Sequence, residues 1–248
     1  MSTPVVLITG ALTGIGRAMA LAYAREGAKV VVSGRRDAEG AQLVEELRKL
    51  GAEAEYVRSD VRLEEDVRSL VDKTVARFGR LDIAVNNAGT EGTPVPLVEQ
   101  TVENYTATFD TNVLGTLLSM KHELRVMLAQ GKGSIVNVSS TMGRGGTPRA
   151  SLYTASKHAV EGLTKVAALE AAASGVRVNV VAPGPVDTEM LTRFAGDETR
   201  KSAVIADVPM KRMGEPDEVA QTILFVASDK ASFITGATLA VDGGKRAR

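Results

Sequence analysis

Tyr153 and Lys157 stand four residues apart, and Ser140 lies upstream in Asn137-Val138-Ser139-Ser140. On a helix that interval puts two side chains on one face, about 6 Å apart along the axis. It sets an ammonium beside a phenol. A free phenol titrates near ~10 and exchanges protons poorly at neutral pH. A neighbouring positive charge favours the phenolate and lowers that value. A serine hydroxyl delivered from a strand end could then hydrogen-bond the reacting oxygen. The trio suits proton transfer to or from an alcohol or carbonyl. Taken alone, the spacing also fits an amphipathic tyrosine beside a solvated lysine.

A second constellation opens the chain. Pro4-Val5-Val6-Leu7-Ile8-Thr9 is apolar and β-branched, the pattern of a strand buried on both faces. It runs into Thr9-Gly10-Ala11-Leu12-Thr13-Gly14-Ile15-Gly16 and then a helical stretch from Arg17 to Glu26. Strand, glycine loop and helix in that order make a phosphate site. The glycines allow close backbone approach, and the helix start presents unpaired N–H groups to a pyrophosphate.

With these residues in view, the chain resembles the short-chain dehydrogenase/reductase family over nearly its whole length. Thr9 to Gly16 matches the family's spaced glycine motif, and Asn86-Asn87-Ala88-Gly89 matches the segment after its fourth strand. Asn112, Ser140, Tyr153 and Lys157 match the catalytic positions, and Pro183-Gly184 with Thr188 matches the segment that closes over the nicotinamide. The resemblance implies a Rossmann-like doubly wound α/β fold and hydride exchange between a nicotinamide cofactor and a carbonyl or secondary alcohol. Tyr153 would be the general acid/base, Ser140 would orient the oxygen, and Lys157 would lower the phenol pKa and hold the ribose. Asn112 would complete the proton path through a water held at a local helix distortion. Gly10, Thr13, Gly14, Ile15, Gly16, Asp60, Val61, Asn87, Gly89, Pro183, Gly184, Val186 and Thr188 would line the cofactor, with Asp60 on the adenine amino group.

These residues need a scaffold, and the pattern supplies one. Further strand candidates are Lys29–Ser33, Glu55–Arg58, Ile83–Asn86, Ser134–Ser139, Arg177–Val181 and Thr238–Val241. Helical patterns fill the gaps at Glu39–Leu50, Glu64–Phe78, Val102–Ala129, Leu152–Ala173 and Pro216–Ala227. Such alternation predicts one parallel sheet of about seven strands with helices on both faces. No repeat or linker divides the chain, so residues 1–248 read as a single domain. Residues 184–214 have weak periodicity, and a long irregular stretch in a compact domain reads as a lid over the substrate.

Composition excludes several classes. Thirty basic and thirty acidic residues cancel, so nucleic acid is not the expected partner. There is no cysteine, hence no disulfide or thiolate chemistry, and two histidines, His122 and His158, do not make a metal set. No apolar run reaches the roughly 18 residues that would span a bilayer. The opening Met1-Ser2-Thr3-Pro4 lacks the features of a signal peptide, so a cytoplasmic location is the expectation. Small residues such as Ala167-Ala168 and Ala171-Ala172-Ala173 allow close helix packing, and the resemblance implies a homotetramer, with a dimer as the alternative.

Cofactor choice rests on the second strand. NAD-binding folds place an acid at its end, about 20 residues past the glycines. Here Lys29-Val30-Val31-Val32-Ser33 ends at Gly34, followed by Arg35 and Arg36. No carboxylate stands there to repel a 2′-phosphate, and Arg35 is placed to grip one, so NADP(H) is favoured over NAD(H). Asp37 reads as the N-cap of the next helix. Arg144 and Arg149 read as solvent-facing, the closing Lys245-Arg246-Ala247-Arg248 as a solvated tail, and the substrate as a neutral or weakly polar carbonyl compound.

Overall fold

The runs of Val and Ile between glycine turns leave no polar face along the strands, and such strands are stable only when covered on both sides. In the computed structural model, which describes residues 3–247, each strand candidate forms a strand. They are β1 (Val5–Thr9), β2 (Lys29–Gly34), β3 (Ala54–Arg58), β4 (Ile83–Asn86), β5 (Gly133–Val138), β6 (Val176–Pro183) and β7 (Thr238–Val241). All pair in parallel in the order β3-β2-β1-β4-β5-β6-β7. The direction of winding therefore reverses between β1 and β4, where Thr9 pairs with Asn86. A sheet opens a crevice at that point, beyond the carboxyl ends of the strands.

Helices α1 (Gly14–Arg25), α2 (Asp37–Lys49), α3 (Glu64–Phe78), α4 (Val102–Phe109), α5 (Gly115–Gln130), α6 (Ser151–Ala171), α7 (Glu189–Ala195), α8 (Glu198–Ala206) and α9 (Pro216–Ala227) follow. One core layer joins Val6, Ile8, Val30 and Val32 to α1, α2 and α9 through Met19, Leu47 and Ile223. The other joins Leu7, Val31 and Ile135 to α3, α5 and α6 through Leu70, Met127 and Ala168. Truncating one of these buried leucines to alanine costs about 2–5 kcal/mol.

Two expectations change. The single helix expected over Val102–Ala129 is interrupted by a π-helical turn at Asp110–Leu114, where the Gly115 N–H donates to the Asp110 carbonyl. Thr108, Thr111 and Thr116 each donate a hydroxyl to the carbonyl one turn back, at 2.8, 2.9 and 2.8 Å. Such back-bonding bends helices, and a π turn occurs as a single-turn bulge inside an otherwise continuous helix. Residues 184–214 are the second change, because α7 and α8 form within them. Thr188 and Asp197 cap these helices on the Leu191 and Arg200 N–H groups.

Candidate active site

The glycine loop is shaped by what a side chain would hit. Gly10 has φ +63°, and a Cβ there would lie 2.7 Å from the Ala88 Cα; one on Gly16 would lie 2.2 Å from the Gly10 carbonyl oxygen. The loop after β4 is pressed against this turn. Asn87 Nδ2 donates to the Thr9 and Gly10 carbonyls at 3.2 and 2.9 Å, and Thr9 Oγ1 accepts from the Asn87 and Ala88 N–H groups at 3.2 and 3.3 Å. Thr13 sits at the N-cap of α1 without capping it, and no acid occupies the first turn. The Gly14-Ile15-Gly16 end of the helix thus keeps its positive pole free of side-chain partners, which fits a dinucleotide pyrophosphate. Thr188 closes the other side, its Cγ2 being 3.2 Å from the Cβ position of Gly14. Pro183 ends β6, a Gly184 Cβ would lie 2.8 Å from the Asp242 Cα, and Val186 is buried.

Tyr153 and Lys157 lie on α6, and Ser140 lies just past β5 on the wall facing them. Ser140 Oγ accepts from the Met142 N–H at 3.2 Å, which fixes the hydroxyl at the start of a short turn. Lys157 is buried; its Nζ donates to the Val138 carbonyl at 2.9 Å and lies 5.5 Å from the centre of the Tyr153 ring. Burial depresses the ammonium to about 8. Burial likewise pushes the Tyr153 phenol up to about 12; the Ser140 hydroxyl works against that rise and the Glu91 charge adds to it. The phenol therefore rests above its ordinary value, with desolvation as the dominant cause.

Asn112 occupies the π turn, and its side chain is fully engaged. Nδ2 donates to the Thr90 carbonyl at 2.9 Å and the Ser156 hydroxyl at 3.0 Å, while Oδ1 accepts from the Thr90 N–H at 2.8 Å. It clamps the loop after β4 to α6. Gly89 fits between, since a Cβ there would meet Asn112 Oδ1 at 3.3 Å and Lys157 Nζ at 3.6 Å.

Several groups around this cluster were not legible in the sequence. Buried Glu161, one turn beyond Lys157, accepts from Arg144 Nε at 2.7 Å, Thr238 Oγ1 at 3.1 Å and Ser139 Oγ at 3.3 Å. Arg144 is thus tied to a carboxylate and not simply solvent-facing, and Arg149 donates to the Pro94 carbonyl at 3.0 and 2.9 Å. The closing tail is likewise held. Arg246 donates to the Thr141 carbonyl at 2.9 Å, and Lys245 pairs with Asp207 at 3.2 Å; Arg248 lies outside the described residues. Buried Asn86 donates to Glu123 at 2.9 Å and Asn137 at 3.0 Å beneath the β4 loop. His122 is buried and His158 exposed, His158 Nδ1 lying 2.9 Å from the Thr154 carbonyl. Among the described residues no group of three or more His, Cys, Asp or Glu is placed to hold a metal ion.

At the far end of the crevice, Arg35 is 65% exposed, with the Asp60 carboxylate 4.0 Å from its guanidinium. Asp60 is gripped by Arg62, Nε at 2.9 Å and Nη2 at 2.5 Å, which lowers its pKa. Val61 packs beneath with Val67 and Leu118. A side chain on Gly34 would bring its Cβ to 2.5 Å from Leu12 Cδ1, and Tyr56 donates to the Gly34 carbonyl at 3.0 Å. Asp37 is not an N-cap: Arg36 holds that position without capping, and Asp37 is the first helical residue, 3.9 Å from Arg58.

Comparison with known proteins agrees with this geometry. A family model described as enoyl-(acyl carrier protein) reductase matches residues 10–246. The A-factor type gamma-butyrolactone 1'-reductase (1S-forming) of Streptomyces virginiae is 47% identical over 97% of this chain and 94% of its own. The cis-4-hydroxycyclohexanecarboxylate dehydrogenase of Sinomonas cyclohexanicum is 44% identical over 97% and 95%. The solved structure of ElxO with NADP bound superposes with a TM-score of 0.94 at 35% identity, covering 100% of both chains. A parallel sheet wound about a glycine loop, with Tyr153, Lys157 and Ser140 beyond its carboxyl edge, places this chain in the short-chain dehydrogenase/reductase family of nicotinamide-dependent alcohol and ketone oxidoreductases.

Proposed function

We propose that the protein interconverts a secondary alcohol and its ketone on a neutral compound built around a small ring, using NADP(H) in preference to NAD(H). The observation that carries this reading is the buried Lys157 ammonium 5.5 Å from the Tyr153 ring centre, across the crevice from the glycine loop. The ring, though not the neutrality, takes support from the two relatives, whose names specify a lactone and a cyclohexanecarboxylate.

The chain's own residues divide the task. Gly10, Gly14 and Gly16 leave room for the pyrophosphate, and the N–H groups of α1 bind it. Asn87, Gly89, Val186 and Thr188 would hold the cofactor further along, Asp60 and Val61 would take its adenine, and Arg35 its 2′-phosphate. When bound, the nicotinamide supplies the redox chemistry at the carbon. Tyr153 gives a proton to the substrate oxygen or takes one from it, and at neutral pH its resting phenol is in the donor form. Ser140 holds that oxygen in line with the phenol. Lys157 places a positive charge behind the ring, so proton loss from Tyr153 is opposed less than burial alone would dictate. Asn112 keeps the β4 loop and α6 in register. Most of the rate gain then comes from positioning and fixed polarity.

Residues 184–214 form the substrate lid of a single-domain enzyme. The assembly is a homotetramer, because α5 and α6 leave apolar side chains in solvent, Leu169 at 82% and Val166 at 54%. Assay of ring alcohols and ketones with both nicotinamides tests the reading. Higher kcat/KM with NADPH on a cyclic ketone is expected. Higher efficiency with NADH overturns the cofactor choice, and no turnover of any ring alcohol or ketone overturns the substrate class.

A further inference from the structure

The segment 184–214 is fastened unevenly. At its base, the Gly214 N–H donates to the Pro185 carbonyl and the Asp187 N–H to the Gly214 carbonyl, both at 2.9 Å. The end of α8 is held by Asp207, which pairs with Lys245, by buried Val208, and by the Met210 N–H on the Gly243 carbonyl at 3.2 Å. Helix α7 is only seven residues long, too short to be stable by itself. Ala195 buries its end, and Arg193 supplies a long-range polar tie. The guanidinium grips Glu91 with two bonds, Nε to Oε1 at 2.6 Å and Nη2 to Oε2 at 3.4 Å, and has Glu189 at 3.9 Å as a weaker neighbour.

Glu91 belongs to the loop after β4, which lines the crevice, and its side chain is only 12% exposed. A carboxylate that enclosed is costly to bury unless a cation meets it. Its charge also reaches the Tyr153 phenol. The Lys157 ammonium lies 5.5 Å from the centre of the same ring. The anion that fastens α7 lies on the same loop as Gly89, whose Cβ position is 3.6 Å from Lys157 Nζ.

We propose that the Glu91–Arg193 ion pair latches α7 over the crevice and, by occupying the Arg193 guanidinium, makes this a site for uncharged substrates. The proposal rests on the reading of 184–214 as a substrate lid. A substrate carrying a carboxylate finds the Arg193 guanidinium already paired with Glu91. A neutral ring compound needs no such partner. Arg193 is accordingly a positioning and specificity-determining residue, acting through Glu91 and not on the reacting atoms.

Hydrogen exchange on the cofactor-free protein tests the latch without any turnover. In Arg193→Ala and in Glu91→Gln the amides of 189–195 should exchange roughly 3- to 10-fold faster, the range for loss of one well-formed ion pair. Arg193→Lys, which keeps the charge and loses the fork, should fall between. Unchanged exchange in both Arg193→Ala and Glu91→Gln overturns the latch. The second arm compares cyclohexanol with 4-hydroxycyclohexanecarboxylate. Wild type should favour the neutral alcohol, and Glu91→Gln, which frees Arg193, should shift the kcat/KM ratio about tenfold toward the carboxylate. An unshifted ratio, or a wild type that prefers the carboxylate, overturns the specificity claim. If wild type oxidises neither alcohol, the ring-alcohol reading and the specificity claim fall together, and the exchange data still decide the latch.

Discussion

The Lys157 ammonium donates to the Val138 carbonyl at 2.9 Å and lies 5.5 Å from the centre of the Tyr153 ring. The phenol, with burial as its dominant influence, rises to about 12. Two groups on one helical face thus meet ring to cation.

The cofactor-free protein should accordingly show no tyrosinate step from Tyr153 below about pH 10 in an ultraviolet difference titration of wild type against Tyr153→Phe. A step near neutrality in that difference would contradict the burial argument. Tyr153→Phe should also reduce turnover by about 10² to 10⁴, the usual reach of general acid–base catalysis, with nucleotide binding nearly unchanged. Wild-type rates in the variant would remove the phenol from the mechanism.

Arg35 has Asp60 at 4.0 Å and is 65% exposed, which leaves it available for a 2′-phosphate. Its exposure favours the low end of the range for a charge-assisted bond, so Arg35→Ala should weaken NADPH roughly tenfold and leave NADH nearly unaffected. Titration of both nucleotides by protein fluorescence measures this, and equal weakening of the two would exclude a phosphate contact. The reverse design, Gly34→Asp, should lose stability as well, since its Cβ would start 2.5 Å from Leu12.

Glu123 is buried with Asn86 donating to it at 2.9 Å, and burial lifts its pKa to about 7. An unfolded glutamate titrates near ~4.3. The fold therefore holds the proton more tightly than the unfolded chain. That stabilisation is complete below ~4.3 and is lost as pH rises through about 7, by at most on the order of 3 kcal/mol. Glu123→Gln removes the titration. Its melting temperature relative to wild type should be higher at about pH 8.5 than at about pH 5, and a pH-independent difference would show that Glu123 is not the titrating group.

Leu169 and Val166 stand in solvent on α6, 82% and 54% exposed. Light scattering should give a species of four 26.1 kDa chains. Leu169→Glu with Val166→Glu should reduce it to smaller species by placing charge in an apolar contact. A 26.1 kDa wild-type particle would refute the assembly.

The alternation of strands and helices, the glycine loop and the single helix carrying Tyr153 and Lys157 were written in the sequence, because each depends on local terms. Apolar period reports which face is covered, and glycine reports where backbone must pass close. The apolar pattern did not mark the π turn, a short insertion between two amphipathic stretches; only the resemblance implied a distortion at Asn112. The other departures come from partners distant in sequence: Glu91 with Arg193, Glu161 with Arg144, Asn86 with Glu123, and Arg246 with the Thr141 carbonyl. No local pattern marks such pairs, since a charge chooses its partner by enclosure and distance in the folded chain. The pKa values of Tyr153 and Lys157 follow the same rule. Sequence set the two side chains on one face, and the desolvation that governs them was decided only when the sheet, α6 and the β4 loop closed around them.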